Sequence, residues 1–272
     1  LSLAAACGDN ETPPPAHGAY DAGAPAPLPC LPNLDGKIEA KELAPQIGVT
    51  ATYLVSPPGK ERAIDLLGVQ RDGKLEWPLG NDYADDLVAR ISASRLDGKW
   101  YAASFPGLPE AFVTPIDAGG RTEGIYTHDE SQFLLHGVAS ATADAPEGKT
   151  LLVYSPPIAL YKFPLVAGAA WTSTGDVQNG TFRGLPYAGR DTYDVAVDAV
   201  GTVSLPDFVV TQALKVKTRV TVAPAAGQTT TQRQVSFLFE CLGEVARATS
   251  KLNEPDENFG TAAELRRLGL PP

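Results

Sequence analysis

The sequence predicts a mainly β protein, built as an antiparallel curved sheet or an open β-barrel. Three observations lead there. From Gly48 to about Leu252, short runs rich in β-branched and aromatic residues alternate at period two, among them "VTATYLV", "LVARISASRL", "KWYAASF", "TEGIYTH" and "SQFLLHGVAS". Turn signals separate them: Asp72-Gly73, Asp97-Gly98, Gly119-Gly120 and Glu147-Gly148. Longer runs follow, and in "ALKVKTRVTV" Leu214, Val216 and Val220 alternate with Lys215, Lys217 and Arg219, which gives one buried and one wetted face. Many such strands joined by hairpins curl into a barrel or a strongly curved sheet.

Bulk properties narrow the function classes. With 272 residues, 43% hydrophobic and 20% charged, the chain has globular composition and buries a sizeable core, as one large β domain or two small ones. A formal net charge of -10 lacks the cationic footprint that a phosphate backbone requires, so nucleic acid is excluded as a partner. The same charge argues against a polybasic hold on anionic lipids. The apolar stretch from Leu151 to Trp171 is too interrupted, by prolines and Lys162, to span a bilayer.

Residues 1–6 read as the remnant of a signal peptide. Methionine is absent from the chain, so the initiator is expected upstream, and "LSLAAAC" is an apolar segment closing in small residues. It resembles the bacterial lipoprotein signal, with Leu3 or Ala4 in the leucine slot, Ala5 and Ala6 in the small slots and Cys7 as the lipidated residue. An ordinary secretory peptide is the alternative. The resemblance implies attachment to a membrane through acyl chains on Cys7, with the rest of the chain in water. Residues 8–29, rich in Pro, Ala, Gly and Asp and without hydrophobic period, read as a tether. His17 within it is expected to be solvated.

With Cys7 assigned to lipid, Cys30 and Cys241 remain, and an exported protein is expected to pair them. The bridge would staple the N-terminal segment to the far end of the domain and contribute about 3–5 kcal/mol on chain-entropy grounds. Two buried thiols are the alternative. Residues 30–45 hold the one motif-like stretch, "LPNLDGKIEAKELAP". From Asn33 to Glu42 it resembles positions three to twelve of an EF-hand calcium loop: oxygens from Asn33 and Asp35, a turn at Gly36, the Lys37 carbonyl, and Glu42 in the bidentate slot. Leu31 stands where the first aspartate belongs, and Pro29 and Pro32 crowd out an entering helix. The competing reading is a turn in which Asp35 caps a short helix over 37–43, stopped before Pro45.

Residues 46–252 form the predicted antiparallel β domain, and residues 253–272 a tail. In that tail "TAAELRRLGL" predicts a helix capped by Thr261, with Glu264 completing a capping box, that packs on the sheet or plugs an open end. The order "FPLVAGAAW" (163–171), "TYDVAVDAVGTVSLPDF" and "VSFLFECLGEVAR" resembles uncharacterised periplasmic and outer-membrane lipoprotein domains of Gram-negative, myxobacterial-type bacteria. The resemblance covers residues 150–250 and implies a curved antiparallel sheet like that of the lipoprotein-carrier folds. Pro206-Asp207-Phe208 stands where that family has a proline-alanine-glycine turn, so this hairpin is expected to differ.

Catalytic patterns are sparse. There is no G-x-S-x-G elbow and no Walker or dinucleotide loop. His128 in "THDE" lies beside Asp129 and Glu130, a hydrolase-like grouping that reads more simply as a polar hairpin turn. His136 in "FLLHGVA" reads as a satisfied histidine. Asp82, Asp85 and Asp86 in "GNDYADDL" suggest either a carboxylate pair or cation site, or a solvated loop, the preferred reading. Trp77, Trp100, Tyr101, Phe133, Tyr154, Tyr161, Phe163 and Trp171 are expected mostly in the core, with the lining of a concavity as the other use. Together these features predict a non-enzymatic, lipid-anchored binding or scaffold protein of the bacterial outer membrane or cell surface, facing periplasm or exterior. Its expected partners are the membrane and either a protein or a lipid ligand. A lipid carrier with an apolar cavity and a hydrolase built on His128 are the alternatives, and calcium is the one candidate cofactor.

Overall fold

A computed structural model describes residues 30–270. The chain runs β1 (Lys37–Ile38), β2 (Thr50–Val55), β3 (Arg62–Ala63), β4 (Val69–Arg71), β5 (Lys74–Pro78), β6 (Leu87–Ser92) and β7 (Ser94–Arg95). Then follow β8 (Phe112–Pro115), β9 (Thr122–His128), β10 (Gln132–Ser140), β11 (Leu151–Lys162), β12 (Leu165–Val166) and β13 (Ala170–Phe182). The last six are β14 (Leu185–Ser204), β15 (Val209–Pro224), β16 (Thr230–Phe239), β17 (Gly243–Leu252), β18 (Thr261–Ala262) and β19 (Glu264–Leu268).

One 15-stranded sheet organises the molecule, in the order β6-β2-β19-β17-β16-β15-β14-β13-β11-β10-β9-β8-β7 with β5 and β4 added beside β14. Its neighbours pair antiparallel except where β5 runs parallel to β14. The two ends of that order, β6 and β7, are separated in sequence by Ala93 alone, so the chain steps from one edge of the sheet to the other. The Gly48 amide, just before β2, donates to the Ala93 carbonyl at 2.8 Å and holds this step beside β2. The result is a nearly closed, mainly antiparallel barrel, as the period-two pattern predicts.

Alternate residues of the long strands serve two cores. On β15, Leu214 and Val216 join an inner cluster with Ile38, Leu165, Val197 and Leu238, whereas Ala213 joins an outer one with Trp77, Phe237 and Phe259. Inside the barrel, Phe112 of β8, Tyr126 of β9, Tyr154 of β11 and Tyr193 of β14 meet in a single cluster. Arg247 of β17 and Arg266 of β19 also reach the Ile116 carbonyl just beyond β8, so side chains fill much of the lumen. Outside, residues 56–86 lie over β14–β17. There Trp77 is fully buried in a slot left by two glycines: a Cβ on Gly68 would sit 2.9 Å from its Cδ1, and one on Gly201 2.7 Å from its Cζ3. Residues 96–111 cover β8–β10 with Tyr101 and Phe105.

Three sequence expectations need correction. The C-terminal helix does not form; Thr261–Ala262 and Glu264–Leu268 are strands, and the latter fills the gap between β17 and β2. Two ladders of backbone hydrogen bonds outweigh the helix propensity of "AAELRR", and a helix would have left β17 and β2 as open edges. The β domain therefore reaches Leu268. The short helix over 37–43 is the strand β1 followed by a single 3-10 turn, Ala40–Glu42. "KWYAASF" is a covering segment with a 3-10 turn at Ala102–Ser104, its Tyr101 hydroxyl donating to Glu123.

Candidate functional site

The N-terminal segment plugs one mouth of the barrel. Cys30 and Cys241 form a disulfide, and β1 pairs with β12 so that Ile38 and Leu43 enter the inner cluster. The plug, one of two roles the sequence offered for a C-terminal helix, is thus N-terminal. Within it the calcium-loop residues lie close together but satisfy one another. Glu42, 3% exposed, accepts from Asn33 Nδ2 at 2.8 Å through one oxygen and from the Glu39 amide at 2.8 Å through the other. That closes a capping box between Glu39 and Glu42. The Asp35 carboxylate accepts from the Lys37 amide at 3.1 Å, and Asn33 Oδ1 accepts from the Asp35 amide at 2.8 Å. Among the described residues no group of three or more His, Cys, Asp or Glu is arranged to hold a metal ion. Glu240, which sequence reading missed, accepts from the Asn33 and Leu34 amides at 2.6 and 2.9 Å. Its position next to Cys241 was the available signal. Cys7 lies outside the described residues.

Among the described residues neither histidine is hydrogen-bonded to a carboxylate. His128 ends β9 with its ring 5.3 Å from that of Phe163 and 5.8 Å from that of Phe133. Burial lowers its pKa, although the Ala40 backbone and Asp129 act against that, and its buried Nε2 has no protein partner. Asp129 is occupied by the hairpin: one oxygen accepts from the Ser131 amide and hydroxyl and from the Gln132 amide. The polar-turn reading of "THDE" describes this geometry. His136 Nε2 lies 2.7 Å from Thr127 Oγ1, and burial lowers its pKa as well.

The acids of "GNDYADDL" divide: Asp82 and Asp85 are exposed, as the solvated-loop reading has it, whereas the Asp86 side chain is buried in an ion-pair cluster. Asp86, with 4% of its side chain exposed, accepts from Arg62 at 2.8 Å and from Arg267 at 2.5 Å, while Asp85 accepts from Arg62 at 2.6 Å. The Tyr83 ring lies between both guanidiniums, 4.1 Å from Arg62 and 5.0 Å from Arg267. Arg267 also donates to the carbonyls of Leu79 and Asn81. This cluster ties residues 56–86 to β19 and serves as a structural clamp. Asp82 stays outside it, exposed.

A second charged group lines the barrel interior. Arg247 and Arg266 stand opposite each other on β17 and β19, and both donate to the Ile116 carbonyl. Glu244 lies 3.6 Å from Arg247, and Glu264 3.3 Å from Arg266. Burial and the facing Arg247 lower the pKa of Arg266. Burial would lower that of Arg247 too, but Glu244 and Glu264 hold it above its usual value. Burial raises the phenols of Tyr126, Tyr161 and Tyr193 around them.

Of the sequence-singled aromatics, Trp77, Tyr101 and Tyr154 are buried, and Trp100, Phe133, Tyr161, Phe163 and Trp171 are half-buried against the clusters. On the outer face, a groove of about 480 Å³ crosses β13 to β16 and is walled by Glu257. Thr172 and Asp194, hydrogen-bonded at 2.7 Å, face Arg219 and Arg233 in one cross-strand row, with Lys217 beside them. Lys217 pairs with Asp198 at 3.2 Å, and Arg233 anchors the wall through the Glu254 and Pro255 carbonyls. Arg219 is exposed, so the groove offers it as a cation to solvent. Comparison with protein-family models, with curated proteins and with solved structures returns no match.

Proposed function

We propose that this protein is a non-enzymatic binding or scaffold lipoprotein of the bacterial envelope, anchored through Cys7 at the outer membrane or cell surface. The observation that carries the reading is the barrel lumen occupied by packed side chains, with its mouth closed by a disulfide-stapled segment. A protein built this way reads partners on its outside, and the outer groove with Thr172, Asp194, Lys217 and Arg219 is one surface of ligand size. The Cys30–Cys241 bridge suits an oxidising compartment. The sequence features of residues 1–29, a lipobox-like segment and a Pro- and Gly-rich tether, support the anchor.

The lipid-carrier alternative requires an apolar space, and the aromatic residues that would line it pack against one another instead. The hydrolase alternative requires His128 within reach of an acid and of solvent, whereas its ring packs on Phe133 and Phe163. Calcium binding by Asn33, Asp35, Lys37 and Glu42 requires Glu42 to release the Glu39 amide and Asn33.

Native mass spectrometry of the full chain purified from a bacterial envelope tests the reading. Acyl mass on Cys7 and no further ligand is the expected result. A co-purified lipid in addition to the acyl chains would overturn it in favour of a carrier, and a chelator-sensitive mass shift of one calcium would restore the metal site. Partners recovered by cross-linking are expected to be lost in Arg219→Glu while the melting temperature is retained.

A further inference from the structure

Exposed apolar side chains scattered singly need no explanation. At the plugged mouth they are not scattered. Leu31 is 68% exposed, Leu34 39% and Leu242 50%. All three flank one junction: Leu31 follows Cys30, Leu242 follows Cys241, and the Leu34 amide is bonded to Glu240. From these we infer that this leucine collar seats the barrel mouth against a lipid bilayer. The inference rests on the reading of Cys7 as the anchored residue.

Two features of the junction go beyond exposure. Leu34 has φ of +55°, a left-handed conformation that disfavours a branched side chain and favours Gly or Asn. Neither backbone preference nor burial therefore favours leucine there; folding would be served better by a turn residue. Beneath the collar, the Glu240 carboxylate, 1% exposed, takes the amides of both Asn33 and Leu34. Those donors do not need water, so this surface can be laid on an apolar phase without orphaning them.

The occupant follows from where the chain leads. Residues 8–29 connect the collar directly to Cys7. On the composition-based reading of residues 8–29 as a tether, about 22 residues reach roughly 25–30 Å, so an acylated Cys7 would keep the collar at millimolar effective concentration beside the membrane. Under those conditions three leucines are a sufficient second contact. Another exposed apolar pair, Phe182 and Leu185, sits at the tip of the β13–β14 hairpin, at the far end from the plug. It serves as a control.

The test uses the full chain, with its disulfide formed, on phosphatidylcholine vesicles. It is attached either by its own acyl groups or by a maleimide-bearing phospholipid coupled to Cys7. Amide hydrogen exchange at residues 31–36 and 241–243 is expected to slow at least several-fold relative to vesicle-free Cys7→Ser protein. The triple variant Leu31→Ser/Leu34→Ser/Leu242→Ser should lose that protection with its melting temperature unchanged, and Phe182→Ser/Leu185→Ser should keep it. Equal exchange with and without vesicles overturns the inference. So does protection of unlipidated protein that grows with its concentration, which assigns the collar to a second copy. If envelope-derived protein carries no acyl chains, the anchoring reading fails by itself, and the phospholipid-coupled arm still decides the collar.

Discussion

The N-terminal plug and the outer belt of residues 56–86 are both coil-rich segments laid on the same sheet, yet different interactions hold them. The plug is covalent at Cys30–Cys241 and otherwise held by carboxylates, Glu42 and Glu240, that take backbone amides. The belt has no covalent tie. Trp77 fills an apolar slot, Lys215 donates to the Leu66 carbonyl at 2.5 Å, and Arg62 and Arg267 clamp Asp86. The plug thus depends on redox state, whereas the belt depends on charge pairing in a place that water does not reach.

The sharpest way to break the comparison is Arg267→Ala. It leaves the buried Asp86 with Arg62 alone and strips the Leu79 and Asn81 carbonyls of their donor, and should cost about 3 kcal/mol in urea unfolding. Replacing both members, Arg267→Met with Asp86→Leu, should recover part of that loss. Cys30→Ser/Cys241→Ser should cost about 3 kcal/mol, below the loop-closure value because denatured chains retain structure. Its signature is local: hydrogen exchange rises over 30–43 while the belt stays protected.

Glu42→Ala removes two hydrogen-bond acceptors at once and should cost about 1–3 kcal/mol. With Glu42 committed to those bonds, the wild-type melting temperature should be the same in calcium and in chelator. A calcium-dependent rise would show that the loop is a metal site. The smallest effect concerns His128. Its folded pKa lies below the ordinary 6.5, so the unfolded chain takes the proton first and stability falls as pH drops below about 6.5. His128→Phe should therefore melt at nearly the wild-type temperature at pH 8 and gain on it steadily toward pH 5. Parallel curves over that range would place the histidine in solvent.

Much of the architecture was legible in the residues. The alternation in "ALKVKTRVTV" assigned Leu214 and Val216 to one face and Lys215 and Lys217 to the other, and the structure keeps that division. Lys215 is nonetheless buried, because the belt covers it and Asp198 pairs with it at 2.9 Å. The failures share a cause. "TAAELRRLGL" has helical propensity, but its place between β17 and β2 is set by strands distant in sequence. Asp86 of "GNDYADDL" looks as solvated as its exposed neighbours Asp82 and Asp85 until Arg62 and Arg267 arrive from elsewhere in the chain.

By itself, then, the sequence determined the β class, the burial pattern of the long strands and the only pairing its cysteines allow once Cys7 is set aside. Those depend on period, composition and counting, which are local or additive. The tertiary structure alone decided that the sheet closes at Ala93, that the N-terminus rather than the C-terminus fills the mouth, and that Glu42 caps a turn. Each of these depends on contacts between residues far apart in the chain, and long-range pairing leaves no period in a sequence to read.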